Sequence, residues 1–259
     1  VAGGGVAGMQ AALTAAARGH EVVLCEKNDH LGGVLLCEAK VPFKARLDEY
    51  IRLQRRRIDR APIDLRLGTE VTPALAAELA PDAIIAAQGA LPIIPPIPGI
   101  DGANVLGAEE LYLAPERACG RVAILGGGLV GLELGVFMAM LGKSVVIVEL
   151  QPEPAVDPYG MHTIALMHKL EEYSIDLRLS TRVLAVTPEG LRCERAAGSE
   201  CIAADTVVYA TGRRPLRDEG FALHDCAPEF FQIGDCTVPK NIVAATQAAY
   251  TAALDIGRI

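Results

Sequence analysis

Gly3-Gly4-Gly5-Val6-Ala7-Gly8 and Gly126-Gly127-Gly128-Leu129-Val130-Gly131 both fit the pattern GxGxxG, 123 residues apart. A helix-favouring run follows each, Met9 to Arg18 in the first and Leu132 to Leu141 in the second, closed by Gly19 and Gly142. A strand then ends in an acid: Glu21 to Cys25 leads to Glu26, and Ser144 to Val148 leads to Glu149. Ahead of the second copy, Arg121 to Leu125 supplies the entering strand. With the 123-residue shift, Gly19, Val22, Val23 and Glu26 fall on Gly142, Val145, Val146 and Glu149. A lone GxGxxG is weak in a chain with 26 glycines. Two of them, each in a strand-turn-helix-strand frame with an acid 23 residues after the first glycine, point to two dinucleotide-binding units.

The chemistry accounts for each position. The first glycine (Gly3, Gly126) permits a tight turn, the second (Gly5, Gly128) lets the backbone approach a pyrophosphate, and the third (Gly8, Gly131) lets helix pack on strand. The helix N-terminus offers free N–H groups and partial positive charge. Glu26 and Glu149 are placed to accept hydrogen bonds from an adenosine ribose, and a carboxylate there repels a 2'-phosphate. No Arg closely follows Glu149, so NAD(H) is expected at the second site.

Composition narrows the alternatives. The 259 residues carry 24 Lys+Arg against 32 Asp+Glu, a net charge of −8, which argues against nucleic-acid or acidic-membrane partners. With 51% apolar and 22% charged residues the chain can bury a core. Gly, Pro or a charge interrupts every apolar stretch before the about 18 residues a bilayer span needs. The first residues, Val1-Ala2-Gly3, have neither the basic region nor the cleavage site of a secretory signal, and the chain reads as cut from something longer. Seven cysteines with no CxxC or CxxxxC make a disulfide framework or an internal cluster site improbable, and suggest a reducing cytoplasm. Cys25 reads as a buried strand residue, and the five histidines lack metal-ligand spacing.

Between the copies, Leu31-Gly32-Gly33 lets the chain pass close to a bulky ligand; a plain turn is the alternative. A helix is expected from Phe43 to Arg60, with Arg52, Arg55, Arg56, Arg57 and Arg60 as solvated surface. Ile63 to Leu67 and Ala83 to Ala87 read as strands, the latter ended by Gln88-Gly89. Pro92 to Gly99 suits an inter-domain connector. After Glu149 come a helix from His162 to Tyr173 and short strands at 175–179, 181–187, 191–195 and 200–203. Thr206 to Gly212 then reads as a buried strand ending in Thr-Gly. The close is Phe230 to Asp235 and a helix from Ala244 to Ile256. Asp235, after a strand and a glycine, suits accepting a hydrogen bond from a cofactor hydroxyl, although a turn Asp would look the same.

This arrangement resembles the two-dinucleotide-binding-domain flavoproteins of the pyridine nucleotide-disulfide oxidoreductase superfamily. The resemblance implies an α/β fold of two Rossmann-like dinucleotide-binding domains (three-layer ββα), the second inserted into the first. The bounds it suggests are 1–115 with 205–259 for FAD and 116–204 for NAD. It assigns FAD to Gly3, Gly5, Val6, Ala7, Gly8, Glu26, Lys27, Gly32, Gly33, Val71, Ala87, Gln88, Gly89, Gly234 and Asp235. It assigns NAD(H) to Gly126, Gly128, Leu129, Val130, Gly131 and Glu149, and Tyr209 to Pro215, with Thr211 and Gly212, matches the motif that rejoins the domains. Val34-Leu35-Leu36-Cys37 follows Gly33 where a disulfide reductase has CxxxxC, so dithiol chemistry is not expected.

More closely, Glu26-Lys27-Asn28, Val41-Pro42-Phe43-Lys44, Pro95 to Ile100 and Gly234-Asp235-Cys236 are similar to the C-terminal half of the old yellow enzyme-like multidomain reductases. That group includes 2,4-dienoyl-CoA reductase, 2-enoate reductase and trimethylamine dehydrogenase. The resemblance implies an N-terminal (β/α)8 barrel with FMN and a four-iron cluster as partner, oligomers through that parent, and electrons passing from NADH through FAD to the barrel. Neither a metal site nor a catalytic side chain is expected in this part, because the flavin carries the chemistry. The family usually has Thr where Gln88 stands, and trimethylamine dehydrogenase-like members hold ADP in place of FAD. A structural ADP- or FAD-binding module is therefore the alternative.

Overall fold

The computed structural model of the protein describes residues 1–154, 160–196 and 198–258. In chain order the elements are α1 (Val6–Ala17), β1 (Val22–Cys25), α2 (Ala45–Arg60), β2 (Ile63–Arg66), α3 (Pro73–Leu79), β3 (Ala83–Ala86) and β4 (Ala90–Pro92). Next come β5 (Val105–Gly107), α4 (Ala108–Leu113), β6 (Arg121–Leu125), α5 (Leu129–Met140), β7 (Ser144–Val148), α6 (Met161–Glu172) and β8 (Asp176–Arg178). The rest are β9 (Arg182–Thr187), β10 (Gly190–Arg195), β11 (Gly198–Ala203), β12 (Thr206–Tyr209), β13 (Arg213–Pro215), α7 (Arg217–Phe221), β14 (Glu229–Gln232) and α8 (Ile242–Asp255). They form two compact units, one of Val1–Leu91 with Arg213–Ile259 and the other of Pro92–Gly212. The bounds at 115/116 and 204/205 lie inside the second unit, because β5 and β12 pair in its sheet.

In the first unit β1 pairs with β2 and β3 with β14, all parallel, and Ala2 bridges Cys25 and Ala86 to join the two pairs. Such a sheet is covered on both faces, which explains the apolar strands Val22–Cys25 and Ala83–Ala86. Small residues let α1 and α8 approach closely: Ala7, Ala11, Ala12 and Ala15 of α1 share a core with Ala249, Ala252 and Ala253 of α8. On α2 the side chains of Arg52, Arg56, Arg57 and Arg60 are exposed, while Arg55 is half-buried and donates to the Leu31 carbonyl. The residues expected to begin that helix, Phe43 and Lys44, lie instead in a short 3₁₀ turn at Pro42–Lys44, since Pro42 cannot continue a helix inward from Val41.

The second unit has a five-stranded parallel sheet, β5-β12-β6-β7-β8. An antiparallel meander, β11-β10-β9, covers it with Val186, Leu191, Cys193 and Ile202 packed on Ala123, Leu125 and Val148. Helix, parallel sheet and meander are the three layers expected. Among the described residues no helix is long and apolar enough to cross a membrane.

A further repeat appears once the strands are placed. Ile63-Asp64-Leu65-Arg66-Leu67-Gly68-Thr69 recurs as Ile175-Asp176-Leu177-Arg178-Leu179-Ser180-Thr181, 112 residues on. In both copies the Arg pairs with the Asp two residues earlier, at 2.8 Å for Arg66 and Asp64 and 2.7 Å for Arg178 and Asp176. In both, its carbonyl accepts from the acid that ends the preceding strand, at 2.9 Å from Glu26 N and 2.8 Å from Glu149 N.

Candidate dinucleotide-binding site

Each glycine loop is built by the same backbone contacts. Gly3 turns at φ +111 and Gly126 at φ +115, a region that side chains rarely adopt. A Cβ on Gly3 would overlap the Ala87 carbonyl oxygen, and one on Gly126 the Ala210 carbonyl oxygen. A Cβ on Gly8 would likewise overlap the Gly3 oxygen, and one on Gly131 the Gly126 oxygen. Helix, turn and neighbouring strand therefore meet backbone to backbone, as the spacing requires. Gly3 N donates to Cys25 O at 2.8 Å and Gly126 N to Val148 O at 2.9 Å.

Helices α1 and α5 begin at Val6 and Leu129, inside the motifs rather than three residues later, with Gly5 and Gly128 as N-caps. Neither has a side-chain cap, whereas Thr72 caps α3 and Asn241 caps α8. The first-turn N–H groups, those of Val6 and Ala7 and of Leu129 and Val130 among them, have no acceptor within their own helix. Space lies open beside Gly5, where the nearest neighbour of an added Cβ is Gly33 Cα at 4.0 Å. Open donors and a positive helix end fit a pyrophosphate in both units, and in the first the loop is bare beside Gly5.

The acids close the loops. Gly4 N donates to Glu26 Oε2 at 2.6 Å, and Gly127 N to Glu149 Oε2 at 2.6 Å. Glu26 Oε1 accepts from Asn28 N at 2.9 Å and Asn28 Nδ2 at 2.6 Å; Glu149 Oε1 accepts from Gln151 N at 2.8 Å. Glu26 is 5% exposed and Glu149 half-buried.

Around the first loop the chain gathers most of the remaining candidates. Gly32 N donates to Gly4 O at 2.9 Å, and Gly33 lies against Gly5. Ala87 and Gln88 flank Gly3, and Gly234 touches Ala7. Lys27 is exposed beside Glu26, and Val71 packs on the cluster of Ala2, Ala76 and Ile84. Asp235 sits in the 3₁₀ turn Gly234–Cys236, its Oδ1 taking a long 3.4 Å bond from Lys240 N. Gly89 lies in the turn after β3 at φ +81, and its carbonyl accepts from Leu216 N. Gln88 Oε1 is buried without a hydrogen-bond partner. In the second unit, Thr211 and Gly212 serve the chain itself: Thr211 Oγ1 donates to Ile93 O at 2.8 Å, and Gly212 O accepts from Ile93 N at 2.9 Å.

Near the first loop, burial pushes the Cys37 thiol up to about 12. It also lowers the Arg213 guanidinium, which the charge of Asp235 partly restores. Lys44 and Glu38 form a largely buried ion pair at 2.9 Å. A thiol held so strongly in its protonated form is a poor nucleophile, in keeping with the missing CxxxxC partner. The sequence reading missed Glu133, a buried carboxylate on α5, and its contact with His162. An acid within an apolar helix gives no spacing signal, and only its burial in the fold singles it out.

The model of the pyridine nucleotide-disulphide oxidoreductase family matches residues 1–253. The chain belongs to this family. It is a flavoprotein oxidoreductase of a family that binds FAD and NAD(P)H. Bilirubin reductase of Mediterraneibacter gnavus is 36% identical over 98% of this chain, and NADH oxidase of Thermoanaerobacter brockii 32% identical over 99%. A solved 2-naphthoyl-CoA reductase superposes on 97% of the chain with a TM-score of 0.89 at 28% identity. This oxidoreductase spans 40% of the length of each of the first two and 38% of the third.

Proposed function

We propose that this oxidoreductase is an electron-input module, taking hydride from NADH in the second unit to FAD in the first and feeding electrons to an iron–sulfur and FMN barrel of an ene-reductase-like enzyme. The observation that carries it is the completeness of the second loop, with Glu149 closed on Gly127 and α5 uncapped, as in the first. A vestigial site has no need of that carboxylate.

Bound FAD would supply the conversion of a two-electron donor into single-electron steps. The protein would supply the rest. Gly3, Gly5 and Gly8 with the first turn of α1 would hold the pyrophosphate, and Glu26 the adenosine ribose. Gly126, Gly128, Gly131 and Glu149 would do the same for NADH. The relatives support reductive chemistry by name, and the 60% of their length beyond this chain's match leaves room for a barrel that would bind the final acceptor. We place the module at the C-terminal side of that barrel, in the cytoplasm.

Gln88 favours a second reading, a structural module holding ADP, since its partnerless amide oxygen stands where the family usually has Thr. The test is a visible absorbance spectrum of the purified chain with and without FAD, followed by anaerobic NADH. A flavin band that NADH bleaches, in wild type and in Cys37→Ser alike, is the expected result. ADP binding without a reducible flavin would overturn it in favour of the structural module.

A further inference from the structure

At each acid the parallel ladder ends in the same irregular way. Glu26 N donates to Arg66 O at 2.9 Å and Glu149 N to Arg178 O at 2.8 Å, continuing β1 on β2 and β7 on β8. A regular parallel ladder would return the next bond from two residues on, at Gly68 or Ser180. It comes instead from three residues on: Thr69 N donates to Glu26 O at 2.8 Å and Thr181 N to Glu149 O at 2.9 Å. Each second strand thus carries one extra residue, a bulge, with Gly68 at φ +61 and Ser180 at φ +49. Bulges are rare between parallel strands and gather beside functional sites, where they re-aim a side chain.

The displaced N–H groups bond further along. Gly68 N donates to Asn28 O at 2.8 Å, and Ser180 N to Gln151 O at 2.9 Å. Asn28 and Gln151 are the residues whose own N–H groups grip the acids, at Glu26 Oε1 and Glu149 Oε1. The peptide that aims each carboxylate is therefore itself held by the bulge. A threonine hydroxyl closes the arrangement: Thr69 Oγ1 donates to Leu67 O at 3.1 Å and Thr181 Oγ1 to Leu179 O at 2.9 Å. Thr181 is 1% exposed, so its hydroxyl is costly to bury without that bond. The chain from acid to threonine runs from 26 to 69 in the first copy and from 149 to 181 in the second. The crossovers differ in length, and the bulge stays the same.

We infer that Thr69 and Thr181 are positioning residues of the two dinucleotide sites, holding the bulges that aim the ribose-binding carboxylates of Glu26 and Glu149. The inference rests on reading the first unit as the FAD site and the second as the NADH site. An aimed carboxylate favours a ribose diol and repels a 2'-phosphate. Loosening it costs affinity for NAD⁺ and none for NADP⁺, a difference that a merely structural threonine would not produce.

The experiment measures NAD⁺ and NADP⁺ affinity by calorimetry, FAD affinity by absorbance titration and the urea midpoint in wild type, Thr181→Val, Thr181→Ser and Thr69→Val. Thr181→Val, which keeps the branched shape without the hydroxyl, should weaken NAD⁺ about fivefold and leave NADP⁺ and FAD as in wild type. Thr181→Ser, which keeps the hydroxyl, should stay within about twofold of wild type. Thr69→Val should weaken FAD about fivefold and leave NAD⁺ unchanged. Wild-type NAD⁺ affinity in Thr181→Val overturns the inference. An equal loss of NAD⁺ and NADP⁺ overturns it too, as does a loss in Thr181→Ser as large as in Thr181→Val. Where Thr181→Val does not fold, Thr69→Val decides, and wild-type FAD affinity there overturns the inference. Wild-type protein that binds FAD but no NAD⁺ overturns the reading of the second unit alone, and the Thr69→Val result then stands as the test.

Discussion

The two glycine loops share their backbone bonds and differ in how their acids are held. Glu26 is buried and takes three donors, two of them from Asn28, whereas Glu149 is half-buried and takes two backbone N–H groups. A copy with a sealed acid suits a ligand that stays, and one with an accessible acid suits a ligand that exchanges. The same contrast recurs one layer out, where the first copy has the amides Gln10 and Gln54 and the second has Glu133 and His162.

The hardest blow to the comparison is a methyl group at each third glycine. Gly8→Ala and Gly131→Ala should each cost about 3 kcal/mol in their own unit, because the added carbon meets a backbone oxygen. Gly8→Ala should lose flavin absorbance, and Gly131→Ala should keep it while losing the bleaching by NADH. Identical phenotypes would dissolve the division of labour.

Removing the acid charges comes next. Glu26→Gln turns an amide donor toward N–H groups in a buried site and should cost about 2 kcal/mol, read as a drop in urea midpoint with loss of flavin. Glu149→Gln should weaken NADH about tenfold with little change in stability and narrow the NADH-to-NADPH ratio of kcat/KM.

A pH series separates the units more gently. In the second unit Asp205 accepts from Arg121 N at 2.8 Å and pairs with its guanidinium at 2.7 Å, contacts that hold its carboxyl down at about 2. A carboxyl lowered by folding stabilises fully above its ordinary range and loses that contribution as pH falls toward its folded value. The urea-midpoint difference between wild type and Asp205→Asn should therefore stay level from neutral pH to about 4 and shrink from there toward about 2.

The smallest effect concerns the second repeat. Ser180 holds φ +49 where its counterpart Gly68 holds φ +61. Left-handed backbone costs a side-chain residue about 1 kcal/mol, partly offset by the flexibility of glycine when unfolded. Ser180→Gly should stabilise the second unit by about 0.5 kcal/mol by urea titration, and Gly68→Ser should destabilise the first by a similar amount.

The parts of this fold that sequence reveals are those where backbone geometry restricts residue type. Gly3, Gly8, Gly126 and Gly131 are readable because no other residue fits, and the apolar strands because a covered parallel sheet admits little else. The sequence pattern puts the helix starts three residues late because Val6 and Leu129 belong both to motif and to helix. The second repeat is masked by its offset, 112 rather than 123, the chain between acid and strand being shorter in the second copy. Three-residue strands such as β5 and β13 exist through their neighbours, not through local preference. Glu133 and His162, distant in sequence and unremarkable in type, become a pair only when α5 and α6 pack.

The pairing of β3 with β14 has a consequence for how the chain assembles. Ala83 lies beside Glu229 in that ladder, with the whole of Pro92–Gly212 between them. Closing so long a loop is entropically slow, yet the intervening unit is contiguous and needs nothing from outside itself to pair its five strands. Once formed, it holds Ile93 against Gly212 and turns a distant encounter into a local one. The inserted unit is thereby a folding aid for its host, and refolding of the outer unit should slow whenever the inner one is destabilised.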